Sequence, residues 1–161
     1  EEQLGLAPEM AALACQVQPL RVVLDSGLQT PATANVLDNR APSLLVHDES
    51  ITVPAAITAT AVDRLPIKRL PDGLDLAAVL DYLAARQCNE ILVESGPRLA
   101  GALLQAGLLD ELIIYMAPTL MGSSARPLLE LPLQRMSQQV PLLIEDIRKV
   151  GNDWRITATP G

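Results

Sequence analysis

The residues best placed to do chemistry lie between Asn89 and Pro118, in the run N-E-I-L-V-E-S-G-P-R-L-A-G-A-L-L-Q-A-G-L-L-D-E-L-I-I-Y-M-A-P. The apolar triplet Ile91-Leu92-Val93 has the pattern of a short strand covered on both faces, and Glu94 stands at its carboxyl end. A carboxylate there points into a crevice. Ser95 is an N-cap candidate, Gly96 removes the side chain where a ligand must approach the backbone closely, and Pro97 suits the first helical position. The first amides of the helix that follows lack internal acceptors, and the helix dipole favours negative charge beside them. A phosphate group is the natural occupant of such a turn. The succession of strand, turn and helix is the pattern of a nucleotide site.

These residues need elements to position them. Leu20 to Leu24 reads as a strand that also ends polar, at Asp25-Ser26-Gly27. Ser43 to His47 reads as a second strand and Ile67 to Leu70 as a short third one, while Ile51 to Leu65 fits no single pattern. Leu76, Val79, Leu80 and Leu83 have helical spacing behind Asp75, which predicts an amphipathic helix from Asp75 to Arg86. Leu142 to Val150 and Trp154 to Thr159 alternate in polarity around Gly151-Asn152-Asp153, the pattern of an antiparallel hairpin with edge strands. Pro8 to Cys15 reads as a short helix within a leader of residues 1–18. Strands alternating with helices give an α/β class with a mixed, mostly parallel sheet flanked by helices and closed by the hairpin.

Composition narrows the function classes. The 161 residues, 49% of them hydrophobic, suffice for one domain with a real core. No apolar run approaches the ~20 residues of a membrane span, and the acidic start Glu1-Glu2 lacks the features of a signal peptide, so a cytoplasmic setting is expected. A net charge of −7 and the absence of Phe argue against nucleic-acid binding. Cys15 and Cys88 are too far apart in sequence for a redox pair or Cys-rich metal site, and the lone His47 has no ligand partners nearby, so no metal is assigned. The run Met116 to Met121 is expected in the core or at a subunit interface.

Taken together, Leu92-Val93-Glu94-Ser95-Gly96-Pro97, Leu99-Ala100-Gly101-Ala102, Gly107-Leu108-Leu109-Asp110-Glu111-Leu112, Ala117-Pro118 and Leu120-Met121-Gly122 resemble the reductase domain of riboflavin biosynthesis. That domain is the C-terminal half of bacterial bifunctional pyrimidine deaminase/reductases. Arg21 to Ser26 with Thr30-Pro31, and Ile147 to Asp153, extend the likeness from about residue 20 to the end. The resemblance implies a dihydrofolate-reductase-like fold and NADPH-dependent reduction of 5-amino-6-(5-phosphoribosylamino)uracil to the ribitylamino pyrimidine. It also implies a homodimer. Carried over residue by residue, it makes Glu94 a substrate contact and assigns Ser26, Gly96, Pro97, Arg98, Leu99, Ala100, Gly101 and Ala102 to the cofactor. Ser26 could otherwise be a turn former, and Glu94 a solvated charge.

Two departures from the family pattern stand out. Relatives carry Gly-Gly-Pro-Thr where this chain has Ser95-Gly96-Pro97-Arg98. A cation in the first helical turn opposes the dipole by roughly 0.3–1 kcal/mol unless an anion lies between them, so Arg98 either touches a cofactor phosphate or points to water. The opening strand, helix and D-D-P-x-L-x-x-R stretch of the family are not visible, and neither is the zinc signature of the deaminase half. The chain thus reads as an N-terminally truncated reductase domain with part of a sheet edge unpaired, itself a motive for self-association. Its alternatives are a non-catalytic nucleotide-binding or assembly module and another dihydrofolate-reductase-like oxidoreductase.

Overall fold

The computed structural model describes residues 18–161, and the chain divides into two compact units between Arg86 and Gln87. The expected leader helix at Pro8 to Cys15 lies outside the described residues.

The first unit is built on three parallel strands, β1 (Arg21–Leu24), β2 (Ser43–Asp48) and β3 (Asp63–Ile67), in the order β1-β2-β3. Arg21 pairs with Ser43 and Leu24 with Val46, while Leu44 pairs with Asp63 and Asp48 with Ile67. The middle position explains the composition of β2: neighbours and packing cover it throughout, and all six of its residues are buried. Leu45 joins Leu28, Leu37, Ile57 and Val62 in a core cluster against which Val23, Val36 and Val53 pack. The third strand is earlier than the sequence pattern placed it. Asp63, Arg64 and Pro66 break the apolar run, yet the backbone from Asp63 to Ile67 pairs with β2 at an edge where Pro is tolerated. The expected strand at Ile67 to Leu70 resolves into the end of β3 and half of a small hairpin, β4 (Arg69–Leu70) with β5 (Gly73–Leu74). Within the stretch that fits no single pattern, Ala55–Thr58 forms the short helix α1.

Helix α2 (Leu76–Ala85) starts where its cap dictates, since the Asp75 side chain accepts a hydrogen bond from the Ala78 amide. Its apolar stripe buries Val79 and Leu83. A long clamp braces the connection between β1 and β2: the Arg21 guanidinium donates to the carbonyls of Asn35, Asp38 and Ala41 and to the Asp38 carboxylate.

The second unit holds helix α3 (Pro97–Gln105) and an antiparallel sheet of β6 (Leu112–Met116), β7 (Leu142–Val150) and β8 (Asp153–Pro160), ordered β6-β8-β7. The hairpin forms as read, but of its two strands only β7 lies at an edge, because β8 is in the middle of the sheet between β6 and β7. Gly151, at φ 61°, occupies the first of two turn positions between Val150 and Asp153, the place where a type II′ turn needs positive φ. A bulge lies between Ile144, opposite Ala158, and Asp146, opposite Thr157. Helix α3 ends in a Schellman motif: Gly107, at φ 65°, donates to Leu104 and Leu108 donates to Leu103. The α/β class with a parallel sheet and a closing antiparallel hairpin is therefore present, and antiparallel pairing extends to β6.

The segment Ile91-Leu92-Val93 departs from expectation. It is not a strand, its backbone has no hydrogen-bond partner among the described residues, and Ile91, Leu92 and Val93 are 41%, 78% and 41% exposed. Periodicity identifies a run suited to a two-sided apolar setting, but a strand exists only where a neighbour supplies the ladder, and no described strand does so here. Met116 to Met121 is likewise exposed rather than part of the core.

Candidate functional site

Two polar loci follow from these elements, one in each unit. In the first unit, the turn after β1 is organised by Asp25, whose carboxylate accepts from the amide and the hydroxyl of Thr30 at 2.6 and 2.7 Å. Burial pushes that carboxyl upward, but hydrogen bonds from Gln29, Thr30 and Gly27 outweigh it and hold Asp25 below the ordinary aspartate value. Asp25, rather than Ser26, is thus the side chain that forms the turn. Ser26 contributes only its carbonyl, which accepts from the Asp48 amide at 3.2 Å, and its half-buried side chain makes no hydrogen bond among the described residues. The hydroxyl is free for a ligand. The same turn holds buried Leu28 at φ 52°, a left-handed conformation that a branched side chain adopts only when the core fixes it.

The carboxyl ends of β2 and β3 add residues that the sequence pattern did not single out. An open cleft of about 600 Å³ is lined by Asp48, Ser50, Lys68 and Arg69 among others. Asp48 accepts from the amide and hydroxyl of Ser50, which hold its carboxyl below the usual value, and Arg69 stands 3.9 Å away. Carboxyl ends of parallel strands are where ligands bind in open α/β sheets. The signal for this cleft was two consecutive cations, Lys68-Arg69, directly after a strand in an acidic chain. His47 is buried, with Nδ1 2.9 Å from the Asp48 carbonyl, in keeping with a structural role.

In the second unit, Glu94, Ser95 and Gly96 are exposed and lead directly into α3. The N-cap is Gly96, not Ser95, and no side chain caps the helix. Pro97 at the first helical position explains the shift, because it drives the preceding residue into extended backbone, and Gly96 has φ −77° and ψ 173°. The amides of Arg98 and Leu99 consequently have no acceptor among the described residues, whereas Ala100 already donates to the Gly96 carbonyl at 3.2 Å. A β-carbon at Gly96 would meet nothing within 4 Å. The Arg98 side chain is exposed and unpaired among the described residues. Two open amides, a bare Cα and a free guanidinium fit an anion such as a dinucleotide phosphate. Gly101 differs from the others: it is buried, and a β-carbon there would fall 2.1 Å from the Glu130 carbonyl oxygen.

The family model described as the RibD C-terminal domain matches residues 3–156. Riboflavin biosynthesis protein RibD of Escherichia coli is 37% identical over 139 residues, covering 84% of this chain and 36% of that protein. A 5-amino-6-(5-phosphoribosylamino)uracil reductase of Buchnera aphidicola is 27% identical, covering 88% of this chain and 68% of that protein. Among solved structures, Acinetobacter baumannii RibD is similar with a TM-score of 0.77 and 32% identity, over 90% of this chain and 38% of that one. The chain spans little more than a third of these RibD proteins.

Proposed function

Because the chain belongs to the RibD C-terminal domain family, we propose that it is an NADPH-dependent reductase converting 5-amino-6-(5-phosphoribosylamino)uracil to its ribitylamino product. The observation that carries this reading is the start of α3, where the Arg98 and Leu99 amides, the bare Gly96 and the unpaired Arg98 side chain await an anion. When bound, the nicotinamide supplies the hydride, so the protein need provide no nucleophile. Its own residues bind and orient. The first turn of α3 holds phosphate, Ser26 offers a free hydroxyl to the cofactor, and Glu94 faces the pyrimidine sugar as a hydrogen-bond acceptor. A family match running through both units supports treating them as one reductase domain. The exposed stretch Met116 to Met121 suits the interface of a homodimer, and the assignment suits a cytoplasmic enzyme.

The test is NADPH oxidation with the phosphoribosylamino pyrimidine, comparing wild type with Glu94→Gln. The ribitylamino product should form, and the substitution should raise the pyrimidine KM about tenfold or more, the scale of one charged hydrogen bond, without changing NADPH affinity. NADPH binding without turnover would favour a non-catalytic nucleotide-binding module.

A further inference from the structure

We propose that Gly101 is a positioning residue rather than a cofactor contact, and that the main chain at Glu130 is a buttress setting the phosphate-facing turn of α3; the cofactor half of this inference rests on the function proposed above. Pro97 and Gly101 are four residues apart and share one face of the helix. Glu130 covers that face at both points. Its amide donates to the Pro97 carbonyl at 2.9 Å, and its carbonyl oxygen lies where a β-carbon on Gly101 would stand, 2.1 Å from the ideal position. The carbonyl carbon and amide nitrogen of Glu130 lie 3.0 and 3.2 Å from the same position, so the obstacle is a whole peptide unit.

Carbon and carbonyl oxygen normally approach to about 3.3–3.6 Å, so any side chain at 101 must displace helix or loop by roughly 1 Å. The hydrogen bond from Glu130 to Pro97 resists that displacement, because the loop cannot retreat from Gly101 without pulling on the residue that opens the helix. Arg98 and Leu99, whose amides are open, follow Pro97 immediately. The segment around Glu130 therefore reaches the anion site through main-chain geometry.

The experiment compares Gly101→Ala, Glu130→Pro and Glu130→Ala with wild type by amide hydrogen exchange and by NADPH titration. Gly101→Ala should accelerate exchange at both Pro97–Gln105 and the segment around Glu130 and weaken NADPH binding about tenfold or more, the scale of effect expected when a positioned group shifts by a fraction of an ångström. The KM for the pyrimidine should stay within about twofold, a split that a general loss of folded protein would not give. Glu130→Pro, which removes the donor and leaves Gly101 intact, should act in the same direction if Gly101→Ala folds poorly. Glu130→Ala keeps the main chain and should match wild type. Unchanged exchange in the first two variants would overturn the buttress whether or not cofactor binds. Altered exchange with unchanged NADPH affinity would overturn its link to the site, and a wild type that binds no NADPH would overturn the cofactor reading together with that link.

Discussion

Gly96→Ala isolates what the glycine at the helix start is for. Its backbone, at φ −77° and ψ 173°, is open to any residue, and its β-carbon would meet nothing within 4 Å. Replacing Gly by Ala at an N-cap costs roughly 0.5–1 kcal/mol, while the stiffer unfolded chain returns about 0.4–1 kcal/mol. The two offset each other, so the melting temperature should move by no more than about 2–4 °C. The ligand tells a different story. A methyl group beside the open Arg98 and Leu99 amides would hold a phosphate away from them, and a hydrogen bond to a charged group contributes about 1.5–3 kcal/mol. Losing one such bond raises Kd about 10- to 100-fold. Calorimetric titration with NADPH beside a thermal scan measures both quantities. A Kd within about twofold of wild type would refute the placement of an anion at this turn, and a large drop in melting temperature would refute the claim that Gly96 is sterically free.

Arg98→Thr should weaken NADPH binding more at low salt than at high salt, because an exposed cation acts through a screened field; an affinity unchanged from wild type at both ionic strengths would mean that Arg98 points to water. Acid should destabilise the fold through Asp25, Asp38 and Asp48, whose carboxyls are all held below the ordinary aspartate value in the folded protein. The sign follows from linkage: a depressed folded pKa contributes stability above the unfolded value, and that contribution disappears as pH falls through the folded one. Asp25→Asn should therefore flatten part of the acid limb in urea titrations below about pH 4, and curves that run parallel to wild type would show that the Thr30 bonds contribute nothing.

Legibility in the sequence tracked how local the determinant was. Helix α2 was readable because its cap, Asp75, and its buried stripe, Val79 and Leu83, lie within the element. The hairpin was readable because Gly151 and the alternation around it are adjacent. Strand β3 was not, since Pro66 and two charges hide a pairing dictated by β2 from the other side of α1. Ile91 to Val93 showed the opposite failure, an apolar pattern without a described neighbour to pair with. At the candidate site, Pro97 marked the first helical position, yet the extended backbone favoured before proline made Gly96 the cap instead of Ser95. Gly101 stood in the motif, but the reason for its lack of a side chain is a loop that returns from Glu130, and nothing in the spacing of the motif announces that return.

The bulge in β7 bears on how this sequence can change length. In a regular strand, one inserted residue sends every later side chain to the opposite face. Here Glu145 is the extra residue, and Ile144 and Ile147 both stand opposite positions of like parity in β8, Ala158 and Ile156, although they are three positions apart in their own strand. Loss of Glu145 would leave those pairings on the same faces. The position is a seam at which one residue can be gained or lost without rewriting the strand beyond it, and relatives that lack the bulge should differ by a single gap there.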